Sequence, residues 1–172
     1  GADTMSIAGD TTIAAGAQLN ALNGALDLQG SLGIYGALSA PGAGKVFTVG
    51  GSWTLDAGGS FTTNSGRVTF DTNASAVITG NTTFYDLWVN ESGGKTLNFA
   101  AGSNQTIVND LDLAGGEVDK IVLRSTVDGS TWMITVPSGM KLATDVDVKD
   151  SVAVVAGARP YILAFNSVDQ KV

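Results

Sequence analysis

The chain has no cysteine and no histidine, and these two absences exclude the most chemistry. Structural zinc sites, disulfides, a cysteine nucleophile, a Ser-His-Asp triad and haem held through His or Cys are all ruled out for this chain. The lack of cysteine assigns no compartment, because cytosolic proteins and thiol-free secreted proteins share it. Proline is scarce, with 3 residues, and charge is thin at 15% of residues, against about 25% in ordinary soluble domains. No apolar run reaches the roughly 18–20 residues that span a bilayer. The longest candidate, Val152 to Phe165, is broken by Gly157, Arg159 and Pro160, so no transmembrane segment is expected. The first residues, Gly1-Ala2-Asp3-Thr4, lack the basic and apolar regions of a signal peptide. A start at Gly-Ala-Asp would suit a processed end.

What is present points to β-structure. There are 23 glycines, and threonine and serine fill polar positions where Lys and Glu would be usual. β-Branched Thr suits a pleated surface and Gly supplies positive φ at corners, so the composition fits many short strands joined by tight turns. With 172 residues, 44% of them hydrophobic, one domain with a sizeable core is the default. The formal net charge is −7, from 16 acidic and 9 basic residues, and the basic ones are dispersed. A phosphate-binding surface needs concentrated positive charge, so no nucleic-acid partner is expected.

The stretch Ser65 to Phe99 organises the rest. It holds two copies of one phrase, a Gly-containing turn, one basic residue and a short alternating strand: Ser65-Gly66-Arg67-Val68-Thr69-Phe70 and Gly93-Gly94-Lys95-Thr96-Leu97-Asn98-Phe99. Between them Thr82 to Asn90 carries large apolar groups on both faces and reads as a buried rung. A basic residue precedes a strand again at Lys45 and Lys120, and more loosely at Lys141, giving spacings of 22, 28, 25 and 21 residues. Such periods mark solenoids, whose units bury their apolar faces only by stacking. Turn signals such as Gly50-Gly51, Asn64-Ser65-Gly66, Gly115-Gly116 and Ser138-Gly139 recur every 8–15 residues, a spacing that an antiparallel β-sandwich would share. The two- to three-strand unit with one basic residue each favours an all-β parallel β-solenoid (β-helix) of seven or eight coils, about 22 residues per coil; the antiparallel β-sandwich is the alternative fold.

One domain over 1–172 is expected. Residues 1–44 read as less regular N-terminal coils or a cap, 45–151 hold the clearest repeats, and 152–172 supply C-terminal strands with Pro160 between them, where no ladder donor is needed. Ala14 to Leu26 has helical spacing at Leu19, Leu22 and Leu26, but Asn20, Asn23 and Gly24 interrupt it and strict alternation follows, which favours strands.

The phrases GGSWT (Gly50 to Thr54), GRVTF (Gly66 to Phe70), FYDLWVN (Phe84 to Asn90), GGKTLNFAAGSNQTI (Gly93 to Ile107), IVLRSTVDGSTWMITVP (Ile121 to Pro137), DVDVKDS (Asp145 to Ser151) and FNSVD (Phe165 to Asp169) resemble repeat-rich modules of very large secreted bacterial cell-surface proteins. The resemblance spans roughly Gly50 to Asp169, about two thirds of the chain. It implies a right-handed parallel β-helix, export to the cell surface or extracellular space, and a place in adhesive or stalk-like structures. It carries no catalytic residues to transfer.

Asp145 and Asp147 alternate on one strand and Asp150 follows at the next corner; Asp110 and Asp112 form a second pair. Carboxylates on a β-helix face serve polysaccharide hydrolases and lyases as acid and base or as calcium ligands. Alternation alone predicts the plainer arrangement, with Val146, Val148, Leu111 and Leu113 inward and the aspartates in water. The basic residues Lys45, Arg67, Lys95, Lys120 and Lys141 could line one corner and bind an anionic glycan, though stacked like charges repel and a solvated, ion-paired corner is favoured. Among the aromatics most suit the core, while Tyr85 and Trp88, three apart, fall on opposite faces and make Trp88 the best sugar-stacking candidate. Asn-x-Ser/Thr occurs at Asn73, Asn81, Asn90 and Asn104.

The expected function is a non-catalytic structural solenoid of an exported cell-surface or extracellular assembly, with other copies of itself or the rest of a large surface protein as partner. A filament is the natural form, because open edge strands pair end to end. A carbohydrate-binding adhesin is the alternative, with glycans as partner, and a polysaccharide lyase or hydrolase ranks below both. No cofactor and no metal are expected.

Overall fold

The computed structural model describes residues 3–137, 140–155 and 161–170. Alternating apolar and β-branched residues form short strands, and the chain winds them into coils of three. The first coil is β1 (Thr4–Ile7), β2 (Thr11–Ile13) and β3 (Gln18–Asn20); the second is β4 (Ala25–Leu28), β5 (Leu32–Ile34) and β6 (Ala37–Ser39); the third is β7 (Phe47–Val49), β8 (Trp53–Leu55) and β9 (Ser60–Thr62). Then follow β10 (Arg67–Phe70), β11 (Ala76–Thr79), β12 (Thr82–Glu91), β13 (Lys95–Phe99), β14 (Asn104–Gly115), β15 (Ile121–Ser125), β16 (Trp132–Val136), β17 (Met140–Thr144), β18 (Val146–Lys149), β19 (Ser151–Val155), β20 (Tyr161–Phe165) and β21 (Val168–Gln170). The long strands β12 and β14 turn a corner without a break, so each lies on two faces: the start of β14 pairs with β16 and its end with β17. The result is a parallel β-solenoid of about seven turns.

Every registered pairing between described strands is parallel, which eliminates the antiparallel sandwich. In-register stacking puts like side chains above one another and makes the core a set of files. On the first face one file runs Leu28, Val49, Phe70 and another Val89, Leu113, Ala143, Ala164. On the second face Leu32, Trp53, Ile78 and Phe99 stack, as do Ala76, Leu97, Leu123 and Val148. The first coils, which carry no basic marker residue, keep a spacing of 21 residues. The third face is laddered through β3, β6 and β9, and then again from Thr82 onward. At the step between, Trp53 packs edge-on to Phe61 with centroids 4.9 Å apart, and against Phe84 at 5.2 Å.

Corners are made by short polar residues and glycine in the left-handed region. Asp145 (φ 54°) and Asp150 (φ 60°) each form the whole corner at either end of β18. Gly80 (φ 89°) turns the chain into β12, where an added Cβ would stand 2.0 Å from the Leu55 carbonyl oxygen. The turn expected at Ser138-Gly139 and the role expected of Pro160 lie outside the described residues.

Candidate functional site on the first face

The outward files of the first face carry the densest polar chemistry. Arg67 pairs in register with Asp86, which pairs with Asp110; Thr69 pairs with Trp88, which pairs with Asp112. Trp88 is half-buried and points outward, its face covered by the Arg67 guanidinium, 3.1 Å from the ring centroid. Its indole N–H donates to Asp110 Oδ2 at 2.9 Å. Asp86 is buried and accepts from Asn109 Nδ2 at 2.7 Å, while Arg67 Nε stands 4.0 Å from its other oxygen. Asn109 sits where β14 holds one residue more than β12, a bulge opposite Tyr85 that turns the strand onto the first face. A groove of about 320 Å³ runs beside this network, lined by Lys45, Ser65, Arg67, Thr69, Tyr85 and Asp86 among others. Tyr85 and Trp88 thus lie near one surface, although they are three residues apart, because the corner lies between them.

The five basic residues do not form one row. Arg67 opens a first-face strand, Lys95 pairs with Ile121 on the second face, and Lys141 precedes by one the Asp112–Leu142 pair of the first. Nor are all five solvated: Lys95 is 2% exposed and Lys141 1%. The Lys95 ammonium points inward and donates to the Thr72 and Ala74 carbonyl oxygens at 2.7 and 2.8 Å, closing a corner. Burial holds its pKa below the ordinary lysine value, with Glu91 and Asp71 opposing. Lys141 donates to the bulge carbonyl of Asn109, and burial lowers its pKa against the pull of Asp110 and Asp86. Asp27 is the complementary case: hydrogen bonds from Thr48 first, then Ser6 and Gln29, hold its carboxyl below the usual range.

The second candidate cluster is spread over three positions. Asp147 lies on the outer second face, ion-paired to Arg124 at 2.8 Å. Asp145 does not share its strand face, because its left-handed backbone makes it a corner and breaks the alternation; it is buried and lies 3.5 Å from Lys120. Asp150 is at the opposite corner, 2% exposed, with Oδ2 accepting from Gly129 N–H at 3.3 Å. The plainer expectation holds for Val146, Leu111 and Leu113, which point inward, and fails for Asp145 and Asp150, which are not in water. Among the described residues no three potential metal-ligating side chains come together. Asn73, Asn81 and Asn90 are exposed and Asn104 is half-buried. No helix of the described residues is long and apolar enough to cross a membrane.

The buried lysines were missed by sequence reasoning, since a Lys at a strand start reads as a solvated turn residue. The one available signal was their place in the alternation, with Leu97 and Phe99 following Lys95 at two-residue steps. No protein-family model matches the chain, and neither does any curated protein or solved structure.

Proposed function

We propose that this chain is a non-catalytic structural solenoid of an exported cell-surface or extracellular assembly, and that its terminal coils stack end to end on further coils. The observation that carries the reading is that the core files run out into open surface at both ends. At the first coil Met5, in register with Leu26, is 49% exposed. At the other end Ala153 and Ala164 continue inward files yet are exposed, beside an apolar opening of about 220 Å³ lined by Leu113, Trp132, Ile134 and Val146 among others. Among the described strands β1 and β21 each have a ladder partner on one side only. Unpaired edges over an open apolar core are templates for another strand layer, and a head-to-tail contact of this kind repeats as a linear polymer. The sparse charge and the Thr- and Gly-rich surface suit a passive rod, as does the resemblance to stalk-like surface modules.

Negative-stain electron microscopy, with light scattering on the dilute chain, tests this. Long fibres of uniform width, assembling with rising concentration, are the expected result. A chain that stays a monodisperse monomer at every concentration overturns self-stacking.

A further inference from the structure

The groove beside Lys45 and Arg67 sets these two cations against one lining carboxylate, Asp86, on a molecule of net charge −7. Among the described residues Lys45 makes no ion pair. Arg67 Nε is buried without a hydrogen-bond partner: Asp86 Oδ2 lies 4.0 Å away, and the other oxygen, Oδ1, accepts from Asn109 Nδ2. The guanidinium carbon lies over the Trp88 ring, 3.1 Å from its centroid, and the Trp88 indole N–H is in turn held by Asp110. The Arg67 side chain remains 41% exposed. A held guanidinium that is part-exposed at a groove is a fork for a carboxylate, which its outer nitrogens can meet with two parallel hydrogen bonds. The remaining wall carries the hydroxyls of Ser65, Thr69 and Tyr85 and the apolar side chain of Val46.

We propose that this groove binds an acidic saccharide, a polymer of uronate sugars, with its carboxylate on Arg67 and Lys45 and its ring hydroxyls on Ser65, Thr69 and Tyr85. Hydroxyl partners favour a polyol over an acidic peptide. The site lies on the side of the coil stack, so it does not depend on end-to-end assembly.

Affinity gel electrophoresis of the full chain at low salt is the test, with polygalacturonate, its fully methyl-esterified form and polyglutamate as the embedded polymers. Polygalacturonate is expected to retard the protein, and the other two to do so at least tenfold less. Lys45→Gln and Arg67→Gln should each weaken binding about tenfold or more, the scale of a charged hydrogen bond. Lys45 makes no ion pair and no side-chain hydrogen bond within the described residues, so Lys45→Gln reads the site even where Arg67→Gln disturbs Trp88. Lys149→Gln, remote from the groove, should change nothing. The proposal is overturned by absence of retardation, by equal retardation in the esterified polymer or in polyglutamate, by wild-type binding of Lys45→Gln, or by an equal loss with Lys149→Gln.

Discussion

Two ammonium groups carried into an apolar interior are tolerable only because each meets backbone carbonyls that would otherwise go unpaired. Lys95 answers Thr72 and Ala74 at a corner, and Lys141 answers Asn109 at a bulge. Replacing Lys95 with Met fills the volume but orphans two carbonyls, and should cost about 1–3 kcal/mol in urea unfolding at neutral pH. The pH dependence has a definite sign. Both lysines have lowered pKa values in the fold, so between the lowered value and the ordinary one the unfolded chain binds more protons, and stability rises with pH there. Lys95→Met should flatten that alkaline rise, and a variant that keeps it in full would show that Lys95 is not its source. Asp27 acts at the other extreme. Its depressed pKa contributes stability above the ordinary carboxylate value that disappears as pH falls through the depressed one, so Asp27→Asn should lose part of the acid limb of a pH–stability curve.

At the scale of strands and corners, what decides the fold is where the backbone can turn. Gly16 and Gly80 both have positive φ, at 78° and 89°, but an added Cβ meets nothing at Gly16 and a carbonyl oxygen 2.0 Å away at Gly80. Gly16→Ala should therefore cost only the left-handed strain, roughly 1–2 kcal/mol. Gly80→Ala should cost clearly more and push the turn after β11 away from Leu55 at the end of β8; equal melting temperatures for the two variants would refute this. Trp53 is the other pivot, fully buried, packed on Phe61 and Phe84, with its indole N–H given to Thr82 Oγ1 at 3.1 Å. Trp53→Ala should cost about 3–5 kcal/mol.

Over the whole molecule the coils form a one-dimensional array in which each touches its neighbours, so stability is expected to fall toward the ends. Hydrogen exchange should find the strongest protection in β10 to β15 and the weakest in β1, β2 and β21, with the end strands gaining protection when fibres form. In the proposed end-to-end stacking, charge governs that step. Asp169 pairs in register with Val148, on an inward file, so a stacked coil would bury a carboxylate with no partner among the described ion pairs. Fibre growth should therefore be favoured by Asp169→Val, read as light scattering against time. Growth unaffected by this substitution would place the contact elsewhere.

Much of this architecture is written locally. Alternation such as Val68-Thr69-Phe70 or Leu97-Asn98-Phe99, glycine at turns and the recurrence of one phrase determined short strands and their stacking, because a period-two pattern can bury only one face and needs a neighbour above and below it. Which face each strand lies on was decided only in three dimensions. The same basic-residue phrase opens a first-face strand at Arg67 and a second-face strand at Lys95, since corner length sets the phase and a local pattern does not count corners. Tertiary structure likewise turned Asp145 from a strand residue into a corner and drew Lys141 inward beneath Asn109. It also brought Lys45, Arg67 and Tyr85 to one groove, because residues about one coil apart in sequence become neighbours only after the chain has wound once around.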